Sequence, residues 1–247
     1  MNKLMRLIID NKSATPRPLN ASKSGDTASI YVYDVISADW GISALSVIDA
    51  INQAGDAKTL NIHINSPGGD VFEGRAIMAA IRAFRGNTVA KIDSLCASAA
   101  TSIALACNEV EMADGAHFMI HNAHGLAYGD KAALRHAADV MAKVEDAIVN
   151  DYTAKTGKSE ADIRAMMDAE TWLNAAEAKD MGFVDRVTGA SGAAQNTWNL
   201  AAYANAPKPE EVTPNPEPTE PEQEPANEAG FFMSAANANR LRIAQIA

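Results

Sequence analysis

Between residues 29 and 187 the hydrophobic positions switch repeatedly between two periods. Ser29 to Val35, SIYVYDV, alternates and is rich in Tyr and Val, which predicts a strand. Residues 41–54 place Ile42, Leu45, Ile48 and Ile51 on one helical face. TLNIHIN, residues 59–65, predicts a second strand, and Ser66-Pro67-Gly68-Gly69 breaks it sharply. Residues 71–85 follow as a helix that offers Phe72, Ile77, Ile81 and Phe84 to a core. Residues 87–93 predict a strand, and 97–107 a helix of small residues. Two short apolar strands come next, around Val110–Met112 and Phe118–Ile120.

The longest helix is predicted over 130–156, with Asp130 as its N-cap and Gly157 as its stop. Ser159 and Asp162 form a short-acid version of a capping box for another helix. Asn174-Ala-Ala-Glu177 opens one more, which ends at Gly182, and FVDRV is the last strand. Strands alternating with helices imply an α/β domain of about 165 residues.

Composition sets the boundaries of that domain. Of ten prolines, seven lie between Pro207 and Pro225, two are Pro16 and Pro18, and the remaining one is Pro67. The net charge is −10, of which −6 falls within residues 206–229. The expected organisation is a flexible arm over 1–26, a folded domain over 27–205, a disordered Pro/Glu-rich linker over 206–229 and a short docking segment over 230–247. The linker is too poor in apolar residues to offset its ordering entropy. The last segment carries Phe231, Phe232, Met233, Leu241, Ile243 and Ile246.

Near-balanced charge outside the linker argues against a nucleic-acid binder. No run approaches the roughly 20 apolar residues of a membrane span. Arg6 and Asp10 interrupt the first apolar run, so it does not read as a signal peptide, and a cytoplasmic protein is expected. Cys96 and Cys107 are too few for a disulfide framework. Eleven residues apart, they would sit roughly 20° apart on a helix, as buried thiols on one face.

Three places could carry chemistry. Glycines between a strand and a helix, as in Ser66-Pro67-Gly68-Gly69, permit positive φ and leave amides free for an oxyanion, although an ordinary turn has the same composition. Ser98 follows a strand at the start of a helix, between Ala97 and Ala99, where a nucleophile would be exposed and unhindered. Ser94 and Ser102 flank it at four-residue spacing, and simple packing of small residues explains all three equally. It is no G-x-S-x-G elbow, which disfavours a lipase or esterase. His121 ends the apolar run Phe118-Met119-Ile120, a suitable place for a base, with His124 competing for the role. His117, His121 and His124 lack the carboxylate or thiolate neighbours of a zinc site. Asp168 and Glu170, in MMDAETW, are the acid candidates at a helix-to-strand boundary.

Taken together, INSPGGDVFEG (64–74), DSLCASAATSIALA (93–106), FMIHNAHG (118–125) and ETWLNAAEAKDMGFVD (170–185) resemble the proteolytic subunit of the Clp protease, ClpP. The look is closest to the ClpP-like head-maturation proteases of phages and prophages. The resemblance covers about residues 29–187 in the right order. It implies a ClpP/crotonase-like fold of repeated β-β-α units and a serine endopeptidase acting in a homo-oligomeric ring. Carried over residue by residue, the nucleophile falls on Ser98, the base on His121 and the acid on Glu170, with Asp168 in reserve. The oxyanion amides fall on Gly69 and Ala99. No metal or organic cofactor is implied. The substrates are proteins or peptides, and the partner is an AAA+ unfoldase ATPase or phage capsid and scaffold proteins.

The sequence departs from the family pattern in four places. Glu170 stands where many relatives have Asp, and Ala99-Ala100 where Met-Gly is usual. Asn122-Ala123 replaces Gln-Pro, and the loop 124–129 is short. Two other readings compete. One is an inactive or scaffold-like ring subunit. The other is a crotonase-fold acyl-CoA enzyme, against which Ser98 and His121 in register both argue.

Overall fold

A parallel sheet carries the chain from one predicted turn to the next. The computed structural model describes residues 3–11, 19–189 and 198–207, and the residues up to Pro207 belong to one compact unit. The linker and docking segment expected over 208–247 lie outside the described residues. In chain order the elements are α1 (Lys3–Asn11), β1 (Asn20–Ser24), β2 (Thr27–Val32), α2 (Ala44–Ala54), β3 (Thr59–Ser66), α3 (Val71–Arg82), β4 (Asn87–Ala97) and α4 (Ala99–Ala104). Then follow β5 (Glu109–Ala113), β6 (His117–Ile120), α5 (Lys131–Thr156), α6 (Glu160–Asp168), β7 (Thr171–Asn174), α7 (Ala175–Asp180) and β8 (Arg186–Thr188).

The main sheet runs β1-β2-β3-β4-β5-β8, parallel from β2 onward and antiparallel only at β1. β4 divides its length between two neighbours. Val89–Ile92 pair with β5, whereas Leu95–Ala97 pair with β6, which in turn takes β7 antiparallel. The sheet therefore splits along β4, and a small β6–β7 wing leaves it at the carboxyl end. In open parallel sheets that end, where the strands part, is where sites form.

Several helix signals act as the sequence implies. Asp130 caps α5 through the Ala133 amide, and Gly157 closes it in the left-handed region at φ 69. Asn174 and Glu177 make a reciprocal capping box on α7.

Four local expectations need correction. Asn20–Ser24, expected within a loose arm, is a fully exposed edge strand registered on β2, and Leu7 of α1 is buried. No apolar alternation marks that strand, because it buries no face. In α2 the buried residues are Ala44, Val47, Ala50 and Ala54, while Leu45 is 68% exposed. Small side chains let this helix lie close on the sheet. Phe72, expected in the core, is 66% exposed at the start of α3. Cys96 and Cys107 are both buried but share no helix, since Cys96 belongs to β4. Burial pushes the Cys107 thiol up to about 12.

Candidate active site

The register of the split sheet assembles the site. β4 and β6 run parallel with Ala97 opposite Met119, so the next residues of both strands emerge at the same edge. Ser98 leaves β4 there and His121 leaves β6. The Ser98 amide donates to Met119 O at 3.0 Å, which ties the two exits together. His121 Nε2 lies 2.7 Å from Ser98 Oγ. β7 is antiparallel to β6 with Thr171 opposite Ile120, so Glu170, the residue before Thr171, comes level with His121.

Among the described residues, two non-glycines have positive φ: Ser98 at 55° and Glu170 at 48°. Such a conformation costs on the order of 1–3 kcal/mol and persists only where the surroundings fix it. The surroundings of Ser98 do so. Its carbonyl accepts from the amide and hydroxyl of Thr101, at 2.9 and 2.6 Å. The Thr101 hydroxyl in turn lies 2.6 Å from the buried Tyr152 hydroxyl. The elbow expected of a nucleophile is therefore present without a G-x-S-x-G sequence. It depends on a glycine of the turn after β3: a Cβ on Gly68 would meet Ala97 O at 2.5 Å and Ser98 Cβ at 2.7 Å.

Gly68 and Gly69 form the opposite wall. Ile36 N donates to Gly68 O, and Asp70 N donates to Ile36 O, each at 2.8 Å. A Cβ on Gly69 would lie 2.1 Å from Ile36 O, so only glycine fits against that strand. The peptide joining Gly68 and Gly69 is planar and trans. With its carbonyl held by Ile36, its N–H points the other way. Gly69, Ser98, Ala99 and His121 all line one cavity. The Ala99 amide begins α4, where the first donors have no acceptor within the helix.

The two acid candidates separate clearly. Glu170 is only 8% exposed. Its Oε1 accepts from the Asn205 amide at 2.7 Å and from Trp172 Nε1 at 3.4 Å. Asp168 is exposed at the end of α6, and its Oδ1 accepts from Asn122 Nδ2 at 2.7 Å. The other candidates fall around these groups. Ser94 is buried within β4 and Ser102 within α4. The His124 ring lies 4.6 Å from that of His121. His117 is held in β6, and burial pushes its imidazole below the ordinary value, against the charge of Glu177. Among the described residues no three His, Cys, Asp or Glu side chains converge as a metal site. No helix among them is long and apolar enough to cross a membrane.

One residue of the site escaped the sequence. The Tyr203 hydroxyl donates to Pro67 O at 2.5 Å, and its ring stands edge-on to His121, with centroids 5.4 Å apart at 81°. Burial pushes its phenol well above the ordinary value, and the charge of Glu170 adds to this, while a hydrogen bond with Ser98 opposes it. Tyr203 is therefore a neutral donor across the working range. The apolar run Trp198-Asn-Leu-Ala-Ala-Tyr203, directly before the proline-rich stretch, was the available signal.

The profile of the Clp protease family matches residues 22–191. The chain is 27% identical over 184 residues to the "ATP-dependent Clp protease proteolytic subunit 1" of Protochlamydia amoebophila, covering 72% of this chain and 89% of that protein. It is 30% identical over 146 residues to the "ATP-dependent Clp protease proteolytic subunit" of Pleurastrum terricola, covering 58% and 74%. Among solved structures, a mutant ClpP1 of Listeria monocytogenes shares the fold with a TM-score of 0.59 at 24% identity, covering 65% of this chain and 91% of that one.

Proposed function

Since the chain belongs to the Clp protease family and is a serine-type peptidase of ClpP type, we propose that it hydrolyses peptide bonds with Ser98, His121 and Glu170. The observation that carries this reading is the 2.7 Å contact of Ser98 Oγ with His121 Nε2 at the split of the sheet. Ser98 Oγ attacks the carbonyl carbon while His121 Nε2 takes its proton. The same proton goes to the leaving amine as the C–N bond breaks, and water then cleaves the acyl-enzyme by the reverse use of His121. Glu170 orients the ring and supports the imidazolium. The amides of Gly69 and Ala99 hold the tetrahedral oxyanion, where losing one donor costs roughly 3–4 kcal/mol in comparable enzymes.

The working unit is a homo-oligomeric ring of the cytoplasm, and its substrates are proteins and peptides. The names of the relatives, which include "ATP-dependent", support an unfoldase ATPase as the partner over a capsid protein. The chain divides into a protease domain that takes in β1 and runs to 205, a linker to 229 and a docking segment to 247.

The test is a fluorophosphonate probe with the labelled residue mapped by mass spectrometry. Labelling at Ser98, and its loss with peptide hydrolysis in Ser98→Ala, is the expected result. Labelling at Ser94 or Ser102, or an active Ser98→Ala, overturns the assignment. Degradation of a folded protein that needs ATP and a Clp ATPase separates the unfoldase role from capsid processing.

A further inference from the structure

Residues 198–207 lie beyond the stretch that matches the Clp protease family, which ends at residue 191. They nevertheless reach every part of the site. Trp198 Nε1 donates to Asn65 Oδ1 at 2.8 Å, just before the glycine turn. Tyr203 holds Pro67 O within that turn and stands against His121. The Asn205 amide donates to Glu170 Oε1 at 2.7 Å, and its side chain donates to Ala169 O at 2.8 Å. Leu200 and Ala202 pack with Leu95, Ala97 and Met119 on the face of β4 and β6 that turns away from the main core.

We propose that this segment is a clasp that completes the active site, with Tyr203 and Asn205 as positioning residues for the oxyanion turn and the acid. The proposal rests on the roles of Ser98, His121, Glu170 and Gly69 given above. Its physics lies in the peptide planes. The glycine turn has two planes that can rotate, because Gly68 (φ 88) and Gly69 (φ 149) carry no side chain to resist. Ile36 fixes the plane between the two glycines. Tyr203 fixes the plane before it by holding Pro67 O, and the Gly68 amide of that same plane donates to Ser66 Oγ at 3.2 Å. With both planes held, the Gly69 amide keeps its direction into the cavity. Without the phenol, the Pro67–Gly68 plane keeps only the longer hydroxyl bond.

Asn205 acts at the other strained point. Glu170 has a left-handed backbone, and Asn205 bonds both the carbonyl before it and its carboxylate. The clasp is a wall and not a plug. Ala202 and Tyr203 line the cavity, which still opens onto Gly69, Ser98, Ala99 and His121 with the clasp in place.

The test compares Tyr203→Phe, Asn205→Ala and Ser98→Ala in the full chain. Tyr203→Phe keeps the ring and removes the hydroxyl, with its bond to the turn and its hydrogen bond with Ser98. It should lower kcat roughly tenfold or more, since a misdirected oxyanion donor forfeits part of its roughly 10²–10³-fold effect. KM and the melting temperature should stay nearly unchanged. Affinity for a peptide boronate, which mimics the tetrahedral state, should fall in step with kcat. Asn205→Ala removes the side-chain bond to Ala169 O but keeps the backbone amide on Glu170, so it should lower kcat by a smaller factor. Wild-type kcat in both variants, with Ser98→Ala inactive, overturns the clasp and leaves the protease reading standing. A higher KM at unchanged kcat makes Tyr203 a binding wall and overturns it too, and so does a rise in turnover. An active Ser98→Ala overturns the protease reading itself.

Discussion

The corner where β4, β6 and β7 meet is held by bonds from several elements, whereas the first two-thirds of α5 stays largely exposed among the described residues. In the corner, Glu170 is buried, Ser98 is fixed by bonds from two elements, and Tyr203 and Trp172 pack edge to face at 5.7 Å. In α5, none of residues 131–147 is buried, and its buried residues are Ile148, Val149 and Tyr152 near its end. That end is tied down by Asp151 to Arg75 and Arg82 and by Lys155 to Asp185, while Arg164 of α6 bonds Asp146. In α5, Leu134 is 47% exposed and Val140 41% exposed, apolar side chains that the described residues leave uncovered. The contrast separates a corner whose bonds are internal to the chain from a helix whose apolar side chains stay exposed. In the homo-oligomeric ring proposed above, a second copy would cover them.

The sharpest way to break that contrast is at the acid. Glu170→Gln keeps the shape and removes the charge that supports the imidazolium. In the serine-protease template such a change lowers kcat about 10⁴-fold, and a loss of roughly 10³-fold or more is expected here. Asp168→Asn, two residues earlier, changes an exposed carboxylate bonded to Asn122, and peptide hydrolysis should stay within about twofold. Steady-state hydrolysis of a short peptide by both variants decides it. A crippled Asp168→Asn beside an active Glu170→Gln would place the acid on the rim and not in the closed corner.

A second test takes the open side. Leu134→Asp and Val140→Asp alter exposed positions, so each should shift stability by only about 0.5 kcal/mol within one chain. Both should still reduce the particle to a smaller assembly, measured by sedimentation velocity. An unchanged particle mass would mean that α5 faces solvent in the ring as well, and the contrast would lose its meaning.

How much of this was readable in the sequence follows the same division. The glycine turn, the histidine at the end of β6 and the caps at Asp130, Ser159 and Asn174 are local signals, and they stand where local chemistry puts them. What could not be read is tertiary. β4 runs four residues past its expected end, because its last turn pairs with β6 and not with β5. The strain at Ser98 has no motif of its own, since Gly68 in the turn after β3 makes the room for it. The strain at Glu170 and the reach of Asn205 join residues 35 positions apart, a distance no periodicity spans. Of the apolar stripe Ile42, Leu45, Ile48 and Ile51, only Leu45 is left exposed, because the small residues Ala44, Ala50 and Ala54 take the closest approach to the core.

The smallest effect is expected from the largest cut. Deleting 208–247 removes the Pro- and Glu-rich stretch, a composition that forms an extended, self-repelling tether in water. It also removes the apolar residues from Phe231 to Ile246. Among the described residues, those that touch the corner lie upstream: Tyr203 at the turn, Asn205 at the acid and Ala202 at the cavity wall. Hydrolysis of a short peptide should therefore stay within about twofold of the full chain, well inside the scatter of ordinary surface changes. Limited proteolysis of the full chain should cut first between Pro207 and Gly230 and leave a stable, active core. A protein cut at 207 that still folds but loses peptide hydrolysis would show that the corner is not complete within residues 1–207. The closed side of the comparison would then need the tail.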